Sequence, residues 1–232
     1  ANDFKSWDWW YYAEKVRKAD YDLEEEKVRQ YLSLDNVKSG IFFLANRLYG
    51  ITFRPLQAPL YHAECEMYEV IDNDDKPLGA LCFDFHPRPG KRAGAWCGTM
   101  RRQSYKNGER VPPVVSIVCN FTRPAGGVPA LLSLDETETL FHEFGHGLHH
   151  MLTEIEHAGV SGINGVAWDA VELPSQFMEN WCWEPEGLAL ISSHYETGEA
   201  LPKDLLDKML AAKNFQSGLM MVRQLEFSLF DF

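Results

Sequence analysis

Apolar residues recur at helical spacing toward both ends of the chain and at alternating or continuous spacing in its middle. From Ser6 to Lys18 the pattern predicts a helix crowded with Trp7, Trp9, Trp10, Tyr11 and Tyr12. Those aromatics cover more than one helical face, so the helix calls for packing partners on several sides. A short second helix is expected after Asp22, with Glu24 to Lys27 turned to solvent. A third is expected from Leu34 to Tyr49, with Val37, Ile41, Leu44, Ala45 and Leu48 as its core stripe. Gly50 supplies its C-terminal stop.

The middle of the chain reads as strands. Ile51 to Leu56 is a short one, and Ala63 to Asp72 places Cys65, Met67 and Ile71 on one face. The turn Asn73-Asp74-Asp75-Lys76-Pro77 joins it to Leu78 to Phe85 as a hairpin. Val114 to Phe121 is apolar on both faces, as a central buried strand should be. Ala93 to Met100 is a further candidate, and its Ala93, Gly94, Ala95 and Gly98 point to close backbone approach.

Beyond Ser133 the pattern returns to helical spacing. Ser133 and Glu136 form a capping box that starts a helix striped by Leu134, Phe141, Phe144, Leu148 and Leu152. Later helices are expected at Asp169 to Trp183, Glu186 to Tyr195, Leu201 to Ala212 and from Phe215 onward. The segregated order of helices, strands and helices indicates an α+β fold. Residues 1–50 form a helical part, 51–121 a small and mostly antiparallel sheet, and 133–232 a second helical part.

Composition narrows the function classes. A net charge of −12 over 232 residues argues against a nucleic-acid partner. No apolar run approaches membrane-spanning length, so no membrane partner is expected. The one dense basic patch, Arg88 to Arg92 with Arg101 and Arg102, reads as a solvated loop. Cys65, Cys82, Cys97, Cys119 and Cys182 are odd in number and scattered, which suits reduced thiols in a cytoplasmic protein. No secretory signal pattern opens the sequence. A monomer is expected.

The chemistry concentrates in Leu140-Phe141-His142-Glu143-Phe144-Gly145-His146-Gly147, which contains His-Glu-x-x-His. On a helix His146 lies roughly 40° round from His142 and one turn along, with Glu143 roughly 60° from His146. The two imidazoles can hold zinc at a fixed bite, one ion per chain, while Glu143 stands beside the metal as a general base. Gly145 and Gly147 cost helix stability, which is explained if another backbone or a substrate approaches there.

A catalytic zinc needs a third protein ligand. Glu172, seven residues before Glu179 and so on the same helical face, is one candidate, with Asp169 as N-cap. Glu179 would then orient a ligand histidine. Spacing alone leaves open that Glu172 is a helix-start glutamate favoured by the dipole. At Ala95, Trp96, Cys97 and Gly98 an exposed strand edge would pair with an extended peptide; spacing equally allows an edge covered by another strand. The glycine-rich run Gly159 to Gly165 reads as a mobile loop near the site, since it lacks the helix and Lys-Ser/Thr of a phosphate cradle.

His142-Glu143-Phe144-Gly145-His146, then Glu172-Leu173-Pro174-Ser175-Gln176 and Glu179-Asn180-Trp181, together resemble the thimet oligopeptidase/neurolysin family of zinc peptidases. The resemblance extends to Trp7-to-Tyr12, Phe42-to-Phe53 and Val114-to-Phe121, nearly the whole chain. It implies a zincin-like core, zinc on His142, His146 and Glu172, Glu143 as base, and short peptides as substrates. It also implies a longer enzyme, whose other parts include a His/Tyr-rich substrate-binding segment, so little activity is expected from this stretch alone. Two rival readings remain at this stage. A deformylase-like hydrolase would take Cys119 as third ligand, and a non-catalytic helical interaction module would bind no stoichiometric zinc.

Overall fold

The computed structural model describes residues 3–232. After a 3-10 turn at Ser6–Asp8 come α1 (Trp9–Tyr21), α2 (Glu25–Arg29) and α3 (Leu34–Tyr49). Seven strands follow: β1 (Thr52–Pro55), β2 (Glu66–Ile71), β3 (Pro77–Asp84), β4 (Trp96–Arg101), β5 (Ser104–Lys106), β6 (Glu109–Val111) and β7 (Val114–Val118). The remaining helices are α4 (Leu134–Met151), α5 (Leu173–Glu179), α6 (Pro185–Ile191), α7 (Lys203–Ala212) and α8 (Ser217–Asp231). The fold is α+β, as the segregated sequence pattern predicts. No helix among the described residues is long and apolar enough to cross a membrane.

The chain divides into two compact units, one running through Lys27 and resuming at Leu201–Phe232, the other Val28–Ala200. In the first, Lys208 Nζ meets Asp22 Oδ2 at 2.7 Å, and Tyr21 packs edge-on against Phe215 at 5.9 Å. Helix α1 runs three residues past the expected Lys18, because Asp22 takes the left-handed conformation that ends it. Trp7, Trp10, Tyr11 and Tyr12 remain exposed.

The second unit holds a five-stranded sheet in the order β1-β2-β3-β7-β4. Only the β3–β7 pair is parallel; β1–β2, β2–β3 and β4–β7 are antiparallel. The Asn73–Pro77 hairpin and the interior position of β7, between β3 and β4, agree with the sequence pattern. Stacked Phe42 and Phe53 lie 4.1 Å apart, and Phe144 of α4 packs against both rings at 6.4 and 5.8 Å. This cluster fixes α4 against α3 and the sheet, each aromatic pair adding about 0.5–1.5 kcal/mol beyond area burial.

Three expectations need correction. The β5–β6 hairpin was not foreseen, although Asn107-Gly108 is the turn signal such a hairpin uses, and both residues adopt positive φ. Its strands have only three residues each and no clear alternation. The helix expected from Asp169 starts instead at Leu173, with Glu172 at the N-cap position, so Asp169 is not the cap. Pro174 in the first turn lacks an N–H and therefore suits a helix start there. Upstream, 167–172 makes only turns.

The basic run is the third correction, in part: Arg92, Arg101 and Arg102 are exposed as expected. Arg88 and Lys91 are not solvated: Arg88 forks onto the Asp84 carboxylate at 2.7 and 2.8 Å. Lys91 Nζ shares its three N–H groups among four acceptors: Asp84 Oδ1 (2.9 Å), Asp84 O (3.0 Å), His86 O (2.9 Å) and Cys119 O (2.5 Å). The run closes over a buried carboxylate at the ends of β3 and β7. An unpaired Asp84 would be unaffordable there.

Candidate metal centre

The capping box starts α4 as expected: Ser133 N–H donates to Glu136 Oε2 (2.8 Å) and Glu136 N–H to Ser133 Oγ (3.0 Å). Eighteen residues then run to Met151, long enough to carry His142, Glu143 and His146 on rigid backbone. One side of the helix lies on the sheet. A Cβ at Gly147 would sit 3.2 Å from Ile117 Cδ1 of β7, so a glycine lets helix and strand close up.

On its other side α4 meets α5, and Gly145 explains how closely. A Cβ there would lie 2.6 Å from both Pro174 O and Ser175 Cα, inside any tolerable contact. The backbone of α5 therefore occupies the space a side chain would need. Three contacts step along the pair in antiparallel order: Trp183 Nε1 donates to Glu138 Oε1 (3.1 Å), His142 Nδ1 meets Glu179 Oε1 (2.6 Å), and His146 Nε2 meets Glu172 Oε2 (3.0 Å).

The convergence is specific. Glu172 Oε2 also lies 3.2 Å from His142 Nε2, and ligand atoms of His142, His146 and Glu172 all fall within 4.8 Å of one another. The imidazole rings stand nearly perpendicular, 84° apart. No other group of three such side chains with this geometry occurs among the described residues. Two imidazole nitrogens and one carboxylate oxygen are a donor set that suits zinc with a position left open. The remaining nitrogen of His142 is already held by Glu179, which sets the ring's orientation and leaves Nε2 facing the other two donors.

Glu172 carries a second restraint. Ser175 Oγ donates to Glu172 Oε2 at 2.7 Å and to its backbone carbonyl at 2.9 Å. Burial works against the Glu172 carboxylate, but the Ser175 hydroxyl and the two imidazoles together hold its pKa below the usual value. Burial lowers the pKa of His146, which favours the neutral ring. The sequence signal for Ser175 was its position three residues after Glu172, one turn along the first turn of α5.

Glu143 is not part of the donor cluster. It is 7% exposed, and burial, followed by the nearby Glu172 charge, raises its pKa against the opposing pull of His142. The Cys97 backbone favours its ionised form. Strand β4, which carries Trp96, Cys97 and Gly98, is the last strand of the sheet; Ala95 immediately precedes it. Its four residues from Trp96 to Thr99 are half-buried.

Cys119 is fully buried and outside the donor cluster, so it is no ligand here. All five cysteines are free thiols. The glycine-rich run is tied down at Ser161, whose hydroxyl donates to Gln103 O (2.9 Å), while Gly162 lies against the His150 ring.

The sequence matches the family described as peptidase family M3 over residues 1–232. The chain belongs to peptidase family M3. Oligopeptidase A of Escherichia coli (strain K12) is 52% identical over 237 residues, covering 100% of this chain and 34% of that protein. Oligopeptidase A of Haemophilus influenzae is 47% identical, again over 100% of this chain and 34% of the relative. Dipeptidyl carboxypeptidase of Escherichia coli (strain K12) is 40% identical over 97% of this chain and 33% of its own length. The M3 chain thus spans about a third of the length of the curated relatives it matches.

The closeness of α4 and α5 in this M3 chain gives a test. Helix propensity alone favours Ala over Gly by about 1 kcal/mol. Gly145→Ala is nevertheless expected to destabilise by about 1–3 kcal/mol, because the new methyl meets backbone. It should also weaken metal binding by pushing Glu172 away. Denaturant unfolding and chelator competition, with Gly218→Ala, a helical glycine with open space around it, as control, would measure both; a Gly145 variant at least as stable and as tight as wild type would show that the close approach is not needed.

Proposed function

We propose that this chain carries the catalytic centre of a zinc metalloendopeptidase, an oligopeptidase that hydrolyses internal bonds of short peptides. The observation that carries the reading is the meeting of His142, His146 and Glu172 beside a buried Glu143. His142, His146 and Glu172 would hold the zinc, which would supply Lewis acidity toward the peptide carbonyl and toward water.

The chain's own residues do the rest. His142 and His146 offer their Nε2 atoms from one rigid turn, and Glu179 and Ser175 keep His142 and Glu172 aimed. Glu143 takes a proton from the attacking water as the carbon–oxygen bond forms. It returns that proton to the amine nitrogen as the carbon–nitrogen bond breaks. The open side of β4 at Ala95 to Gly98 would pair with the substrate backbone, which positions a peptide without demanding a particular side chain. Membership of family M3 and relatives named oligopeptidase A support peptides as the substrate class. Free thiols support a cytoplasmic location. No nucleic-acid or membrane partner is invoked, and the working form is a monomer.

The test is metal content. The chain should bind one zinc, removable by chelator, and Glu172→Ala should bind at least about tenfold more weakly. Cys119→Ser should keep its zinc. A folded chain without stoichiometric zinc, or loss of zinc in the Cys119 variant, would overturn the assignment; full-length protein that takes up zinc yet cuts no peptide would leave a metal site and remove the activity.

A further inference from the structure

Of the basic run, Arg88 and Lys91 close over Asp84, but Arg92 does something different. Its side chain is exposed, and its guanidinium carbon lies 5.3 Å from the centre of the Trp96 ring. No ion pair with a carboxylate is recorded for it among the described residues, in a chain of net charge −12. The segment beneath is fixed, because Asn120 Nδ2 donates to Arg92 O (3.0 Å) and to Gly94 O (2.6 Å). A cation held over an indole on anchored backbone loses less freedom on binding an anion than a free surface arginine does.

Its location relative to the site follows from the register. Cys97 pairs with Ile117, whose side chain faces α4 beneath Gly147, so Cys97 faces α4 as well. Trp96 therefore turns to the opposite face, one residue before Cys97, on the strand that packs against the helix carrying Glu143. A peptide adding to β4 in the antiparallel sense runs with its carboxyl end toward Trp96, the start of the strand. Each residue advances it by about 3.3 Å. The part of the peptide passing Arg92 is then the part just beyond the scissile bond, and alternate side chains there face the Trp96 side.

We propose that Arg92, braced by Trp96, selects peptides carrying a carboxylate one to three residues on the carboxyl side of the cleaved bond. The carboxylate is either an Asp or Glu side chain or the peptide's own terminus. This rests on the peptidase reading above and on β4 as the peptide-pairing edge.

The test uses the zinc-loaded full-length protein and four matched peptides. They carry Glu or Gln two residues beyond the cleaved bond, and each is made with a free or an amidated C-terminus. Wild type should favour a carboxylate form over its neutral partner by about fivefold to tenfold in kcat/KM, mostly through KM, with the margin shrinking as salt rises. The Glu/Gln and acid/amide ratios separate the two sources. In Arg92→Ala the favoured ratio should fall to near one, in Arg92→Glu it should invert, and Arg92→Lys should keep most of it. Four peptides cut equally by wild type, or a preference that survives in Arg92→Ala, would overturn this proposal while leaving the peptidase reading intact. Wild type that cuts none of them would overturn both.

Discussion

Glu143→Gln in the full-length protein is expected to keep one zinc per chain and to lose about a hundredfold to ten-thousandfold in kcat. The amide matches the carboxylate in shape, and Glu143 is not among the three side chains that converge as donors. What the variant lacks is a site for the proton from attacking water. Folding should not suffer. Burial, with help from the Glu172 charge, raises the Glu143 pKa in the metal-free chain. A carboxyl whose folded pKa is raised penalises folding once the pH exceeds its unfolded value, roughly 4.3. The Gln variant escapes that penalty, so metal-free unfolding near neutral pH should show equal or greater stability. Single-turnover hydrolysis within threefold of wild type would refute the base assignment, whatever the metal content.

The reach of the sequence was uneven for physical reasons. His142, Glu143 and His146 were legible because a helical turn converts spacing directly into geometry, and the Ser133–Glu136 capping box announced the helix. Glu172 was different. Its approach to the histidines depends on α5 packing against α4, a tertiary event, and spacing could not separate a ligand from a helix-start glutamate. The feature that permits the approach, Gly145, was visible, but what it makes room for was not; the structure shows the Pro174–Ser175 backbone in that space. Ser175 and the Trp183–Glu138 contact escaped notice because each acts through a neighbour and carries no motif of its own. The β5–β6 hairpin was missed although Asn107-Gly108 stood in the open, since three-residue strands give too few positions for alternation to register.

The basic run failed for a more instructive reason: charge in a sequence does not say where its counter-charge will be folded. Asp84→Asn is therefore expected to cost about 3–5 kcal/mol, the penalty of leaving a buried charge without its partner. Asp84 and Lys91 side chains are 4% and 3% exposed, so solvent cannot replace what the substitution removes. Burial alone would raise the Asp84 pKa, but the bonds from Arg88, Lys91 and Tyr61 outweigh it and hold the pKa well below the usual carboxylate range. A depressed folded pKa means stability that is present above the unfolded value, roughly 3.9, and lost as pH falls through the folded one. Urea unfolding should show wild type weakening in that acid window and Asp84→Asn lacking this part of the slope. Lys91 bonds both Asp84, at the end of β3, and Cys119 O, just past β7, so the variant should also loosen the strand pair on which α4 rests. Metal affinity should then fall along with stability, although Asp84 belongs to no part of the donor cluster. An Asp84→Asn chain with a wild-type urea midpoint would mean that the network contributes no net stability, and that apolar packing around Phe144 and Ile117 alone holds α4 to the sheet.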